Sequence, residues 1–182
     1  MLVTKTEIEG LLVIQPKVFS DDRGFFVETY QKERYESFGI PGDFVQDNMS
    51  KSSYGVLRGL HIQTKNMQGK LVQVVDGEVF DVAVDLRLDS PTYGKWEGIT
   101  LSSKLKNQFW IPEGFAHGFI TLSETAILSY KCTNYYNPKK ELTILWDDPE
   151  INIKWPIQPT TMAEKDLNGI SIKDIKWTHY LQ

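Results

Sequence analysis

The chain predicts an all-β fold, a sandwich or barrel of antiparallel strands, and three observations carry that prediction. From Phe44 onward apolar or alternating runs follow one another closely: FVQDN, VLRGLHIQ, KLVQVVDG, GEVFDVAVDLR, GITLS, QFWIP, GFITL, AILSYKCTNYY and LTILW. Gly, Pro, Asn and Asp separate these runs, as turns between short strands require. The intervening stretches supply no helices for an alternating strand–helix fold.

Ahead of them, Leu11 to Lys17 and Gly24 to Tyr30 flank the turn-like SDDRG cluster and read as a hairpin. Lys32 to Phe38 places Tyr35 and Phe38 at helical spacing and stops at Gly39 and Pro41, so one short helix is expected there. Asp76-Gly77 between two apolar runs predicts a tight hairpin, and Ser90-Pro91 a second turn. Beyond Pro149 the composition shifts to Trp155-Pro156, Pro159 and polar residues. That tail is expected to be irregular chain and short helix packed on the β-core.

With 182 residues, 41% of them hydrophobic and 12% aromatic, the chain suits a single domain, 1–182, that buries its own core. The net charge of -4 offers no basic excess for a nucleic-acid or membrane surface. Cys132, the single cysteine, excludes an internal disulfide and a cysteine-rich zinc site and fits a reducing compartment, so a cytoplasmic protein is expected. No run approaches the roughly 18 apolar residues of a membrane span, and MLVTKTEIEG lacks a secretory apolar region.

Charge inside strand-like segments needs a partner, because burying an unpaired ion costs several kcal/mol. Arg58, His61 and Lys70 all interrupt apolar runs, which points to a pocket for an anion or a developing oxyanion. Alternation turns His61 away from Leu60 and Ile62. A structural histidine hydrogen-bonded in the core is the competing reading. Tyr130 and Tyr136 lie an even number of residues apart, so a strand would present a proton donor and a stacking ring on one face, with Tyr135 left to packing. Arg23 and Glu28, around two aromatics, are candidate ligand contacts, whereas Glu164-Lys165-Asp166 alone is an ordinary solvated charge run.

Pro112-Glu-Gly-Phe-Ala-His117 resembles the second motif of cupin barrels. Metal-binding cupins open with His-x-His and a Glu, whereas this chain reads His61-Ile62-Gln63. With His179 in the tail, the three histidines leave the metal set incomplete, so no metal is expected. No Gly-rich phosphate loop, nucleophile elbow or dinucleotide fingerprint occurs, and no cofactor is expected.

Taken together, GVLRGLH (55–61), GKLV (69–72), GEVFDVAVDLR (77–87), SPTYG (90–94), WIPEGFAHGF (110–119) and WDDP (146–149) resemble dTDP-4-dehydrorhamnose 3,5-epimerases over nearly the whole chain. The resemblance implies a cupin-like jelly-roll barrel, a homodimer with exchanged N-terminal strands, and a metal-free reaction. The implied substrate is dTDP-4-keto-6-deoxy-D-glucose, inverted at C3 and C5. By the same resemblance His61 is the base, Asp166 its carboxylate partner, Lys70 the cation beside the enolate oxygen and Tyr130 the acid. Substrate contacts carry over to Arg23, Phe26, Glu28, Gln46, Asp47, Asn48, Arg58, His117, Tyr136, Glu141 and Lys165, with Arg23 and Glu28 acting on the partner's ligand. A C3-only or C5-only epimerase, a non-catalytic cupin and a metal-dependent cupin are the alternatives.

Overall fold

The structure is a computed structural model and describes residues 1–177. His179 lies outside the described residues. Strands in chain order are β1 (Leu2–Lys5), β2 (Leu12–Gln15), β3 (Val18–Asp21), β4 (Gly24–Val27), β5 (Gln46–Ser53), β6 (Leu57–Gln63) and β7 (Lys70–Asp76). They continue as β8 (Glu78–Asp85), β9 (Trp96–Ser102), β10 (Gln108–Ile111), β11 (Phe115–Thr121), β12 (Thr125–Cys132) and β13 (Glu141–Thr143). Two short helices, α1 (Lys32–Glu36) and α2 (Glu164–Leu167), lie outside the sheets.

Two antiparallel sheets face each other as a jelly-roll sandwich of the cupin type. One is six-stranded, in the order β1-β2-β10-β7-β12-β5, and the other five-stranded, β13-β6-β11-β8-β9. Between them Val72, Phe109 and Leu128 of the larger sheet meet Val79, Ala83, Leu101 and Phe115 of the smaller. Both outer faces are covered as well. Residues of the C-terminal tail, including Ile151, Trp155 and Ile172, seal the smaller sheet over Leu60, Ile62, Val82 and Val84. Tyr35 of α1 and Ile40 seal the larger over Leu12, Ile14 and Leu71. Burial on both faces is why β8 and β11 read as almost continuous apolar runs.

Three expectations change. Leu12–Gln15 pairs with β1 and β10 inside the larger sheet, and the hairpin partner of β4 is Val18–Asp21, because Pro16 breaks the run before it. β1 itself carried no recognised signal. Asp76-Gly77 makes no hairpin, since β7 and β8 belong to opposite sheets and the dipeptide is the crossing between them. Gly77 adopts φ +77°, and a Cβ there would lie 2.1 Å from the Thr125 carbonyl. The run through Tyr136 ends as a strand at Cys132. Ser90-Pro91 does lie in the link between the paired strands β8 and β9.

Asp85 shows how that link is held. Its buried carboxylate accepts from the Arg87 backbone and guanidinium, from Ser90 Oγ and from Thr92 Oγ1 at 2.6 to 3.0 Å. Burial alone pushes this carboxyl upward, and the hydrogen bonds from Arg87, Ser90 and Thr92 outweigh it, leaving the pKa at about 2 against an ordinary 3.8. The unfolded chain therefore binds the proton more tightly. The resulting stability is complete above the ordinary carboxyl value and is lost as pH falls toward 2. Urea unfolding should show the wild-type advantage over Asp85→Asn shrinking by about 2 kcal/mol between pH 6 and pH 2. An advantage independent of pH would remove the carboxylate from this role.

Candidate active site

A cavity of about 630 Å³ opens between the sheets, walled by β5, β6, β7, β11 and β12 and by the 161–166 segment. It gathers His61, Lys70, Tyr130, Asp166, Gln46, Asn48, Arg58, His117, Tyr136, Glu141 and Lys165. Three surface cavities of about 780, 830 and 690 Å³ are larger, but none is lined by a histidine–carboxylate pair. Chemistry, not size, marks the site.

Strict alternation would send Arg58 and His61, three apart, to opposite faces. A bulge in β6 prevents this: His117 pairs with His61 while Phe119 pairs with Arg58, so three residues of β6 span two of β11. The extra residue lies where Gly59 meets Gly118. A Cβ on Gly59 would stand 2.5 Å from the Gly118 Cα, and one on Gly118 2.8 Å from the Arg58 carbonyl. Two glycines are needed for strands this close.

His61 Nε2 donates to Asp166 Oδ1 at 2.5 Å, and Asp166 is 1% exposed. Since a carboxylate only accepts, Nε2 carries the proton and Nδ1 keeps a basic lone pair. α2 brings Asp166 here and is itself held by an isolated bridge between Ile144 and Ile170 and by Lys165 Nζ donating to Glu141 at 2.5 Å. Burial raises the Glu141 carboxyl, but the Lys165 hydrogen bond and nearby His61 bring it below its ordinary value. A second pair stands opposite, with His117 Nε2 3.0 Å from both oxygens of buried Asp81. Burial pushes the His117 imidazole down and the opposing pull of Asp81 does not restore it, so it is neutral at neutral pH.

Lys70 comes from the first position of β7 beside Cys132 on β12. Burial pushes its ammonium below the ordinary lysine value, only partly offset by Cys132, Asp81 and Glu141. Among the described residues it has no hydrogen-bonded or ion-paired partner, which leaves it directed to whatever enters. Burial also raises the Tyr130 hydroxyl to about 12, so this phenol stays protonated throughout the neutral range. Its ring lies 6.4 Å from that of His117. Arg58 is anchored by Ser52 Oγ at 3.0 Å and the Lys51 carbonyl at 3.3 Å.

Four expected contacts do not reach this cavity. Alternation along β5 turns Asp47 to the opposite face from Gln46 and Asn48, where it pairs with Lys131 at 3.0 Å. Arg23, whose side chain is 91% exposed, pairs with Asp21 in the β3–β4 turn, Glu28 pairs with Arg34, and Phe26 stands exposed on the hairpin. Conversely, Ser50, Gln68, Phe119 and Thr161 to Ala163 line the cavity without having been anticipated. Ser50 was readable, since it continues the Gln46-Asn48 parity. Asp81 was readable as a charge inside the apolar run of β8. Among the described residues no group of three or more His, Cys, Asp or Glu side chains is placed to hold a metal ion.

A family model described as dTDP-4-dehydrorhamnose 3,5-epimerase matches residues 5–174. The chain belongs to this family. The dTDP-4-dehydrorhamnose 3,5-epimerase of Shigella flexneri is 55% identical over 176 residues, covering 96% of this chain and 97% of that one. A crystal structure of dTDP-6-deoxy-D-glucose-3,5-epimerase from Legionella pneumophila, in complex with dTDP-4-keto-L-rhamnose, superposes with a TM-score of 0.93 at 51% identity, covering 96% and 94% of the two chains. The dTDP-4-dehydrorhamnose 3,5-epimerase of Bacillus anthracis, with TDP and PPi bound, gives 0.91 at 42% identity over 94% and 99%.

Proposed function

We propose that the chain inverts C3 and C5 of dTDP-4-keto-6-deoxy-D-glucose to give dTDP-4-keto-L-rhamnose, as a single cytoplasmic domain that serves dTDP-L-rhamnose synthesis. The supporting observation is the cavity that sets the His61–Asp166 pair, the Lys70 ammonium, unpartnered among the described residues, and the protonated Tyr130 phenol around one space. Membership of the family and the ligands of its solved relatives supply the substrate class. Among the described residues no helix is long and apolar enough to cross a membrane.

The C4 ketone acidifies the hydrogens on C3 and C5. Nδ1 of His61 takes one proton, the C–H electron pair moves onto the C4 oxygen, and Asp166 stabilises the imidazolium. Lys70, poorly solvated, meets the developing enolate oxygen as a cation. Tyr130 then gives its proton to carbon from the opposite face, which inverts the centre. Solvent returns a proton to the phenolate and removes one from the imidazolium, so nothing is oxidised or reduced. No step calls for a metal or cofactor, and both cavity histidines already have a ring nitrogen committed to a carboxylate. Arg58 suits a diphosphate, and Tyr136, 47% exposed, offers its ring to the base. Gln46, Asn48, His117, Glu141 and Lys165 complete the substrate contacts.

The reading extends to a homodimer that exchanges N-terminal strands. Its support is the β3–β4 hairpin, which among the described residues pairs with no other strand and exposes Phe19, Phe25 and Phe26 at 52%, 60% and 67%. Arg23, Phe26 and Glu28 on or beside it would serve the partner's cavity, and Asp47 would act from the outer face of β5 through that contact.

Incubation with the 4-keto sugar in heavy water should place deuterium at both C3 and C5, and His61→Ala should slow exchange at least about 10²-fold. Deuterium at one carbon alone would reduce the activity to a single epimerisation, and full exchange by the variant would remove His61 as base. The rate should also fall on the alkaline side, below the ordinary lysine value of 10.5, as Lys70 loses its proton with rising pH. Lys70→Arg should turn over more slowly but without that alkaline fall; the same fall in the variant would assign it elsewhere. Mixing His61→Ala with Arg23→Ala subunits should restore activity above either alone, because one site per mixed dimer is then intact. No restoration would confine Arg23 to its own chain.

A further inference from the structure

Tyr136 belongs to a segment without regular structure between β12 and the 3-10 turn at Pro138–Lys140, yet its backbone is fixed on both sides. Gln63, 6% exposed at the end of β6, donates from Nε2 to the Tyr135 carbonyl at 3.1 Å and accepts at Oε1 from the Asn137 N–H at 2.7 Å. Its side-chain amide thus pairs with the two backbone groups that bracket Tyr136, as a neighbouring strand would. The same Nε2 donates to the Asn66 carbonyl at 2.5 Å, and Gln46 Oε1 accepts the N–H of Tyr136 itself at 2.8 Å.

We infer that Gln63 is a positioning residue for nucleotide recognition: its amide holds the 135–137 backbone so that the Tyr136 ring is already in place to stack on the base of a nucleoside diphosphate. This rests on the reading of Tyr136 as the stacking side chain. An unfixed loop would have to be ordered on binding, and each immobilised backbone residue and side chain subtracts from affinity. One primary amide supplies both a donor and an acceptor at the required separation, which no apolar residue can do. A glutamate keeps only the acceptor and turns an anionic oxygen toward two carbonyls.

Gln63 also shares a strand and a face with His61, two residues earlier. The strand that carries the proposed base therefore also sets the stacking ring. A change at Gln63 should loosen nucleotide binding without disturbing the His61–Asp166 pair, which is held from the opposite side by α2.

The test is calorimetric titration with dTDP and, separately, inorganic diphosphate, alongside kcat and KM, for the wild type, Gln63→Leu, Gln63→Glu, Tyr136→Ala and the Gln63→Glu/Tyr136→Ala double variant. Gln63→Glu should weaken dTDP binding about tenfold, leave inorganic diphosphate within about twofold, and raise KM with kcat within about threefold. In the Tyr136→Ala background it should add less than about twofold. Should Gln63→Leu fail to fold, Gln63→Glu decides. Equal losses for dTDP and diphosphate, or a fall in kcat with KM unchanged, would overturn the proposal by showing a general disturbance. An effect of Tyr136→Ala with none of Gln63→Glu would overturn the clamp and leave the stacking intact. No effect of Tyr136→Ala on dTDP would overturn the stacking reading and the clamp with it.

Discussion

The hydrogen bond from His61 to Asp166 joins groups 105 residues apart, and the rest of the site depends on it. A helix of four residues carries Asp166 and has no side-chain cap, so it could not stand without its neighbours. The bridge from Ile144 to Ile170, the tail packed over the smaller sheet and the Lys165–Glu141 contact hold it in place. The long irregular tail is thus part of the chemistry, because it supplies the anion that fixes the tautomer of the imidazole.

Around that bond the sandwich does something costly. Lys70 and His117 sit where burial opposes their charge, and Tyr130 where burial keeps its proton on. Water would solvate these groups better, so the unliganded fold is less stable for containing them. An anionic, oxygen-rich ligand replaces the lost solvation, so affinity and stability are coupled through the same side chains. The surrounding rows of Val, Ile, Leu and Phe carry the burden by burying apolar surface in three layers, one between the two sheets and one on the outer face of each.

Much of this was legible in the sequence, and the failures have physical causes. Period-two patterning found almost every strand after Phe44, because alternation is a local property. Which sheet a strand joins is not local. Asp76-Gly77 looks like any tight turn, yet it crosses between sheets, and Leu12–Gln15 belongs with β10, more than ninety positions along the chain. Arg58, His61 and Lys70 were visible as charges in apolar runs, whereas Asp166 hides in a run of charge that only family resemblance singled out. Gln63 escaped notice because a glutamine at the end of a strand looks like surface, and only the fold brings the 135–137 backbone to it. Asp47 shows the reverse: alternation alone separates it from Gln46 and Asn48.

The β6 bulge behaves like an inserted letter in a text read two characters at a time. Before it, Arg58 falls in the frame that faces the cavity; after it, His61 would have dropped out of frame, and the extra residue brings it back. A lost or added residue between them would thus trade the imidazole for Leu60 or Ile62, exchanging the inner and outer faces of the strand at a stroke. Substitution can adjust this cavity gradually, but a length change in those few residues is all or nothing. The Gly59–Gly118 contact, with no room for even one methyl group, keeps the count fixed.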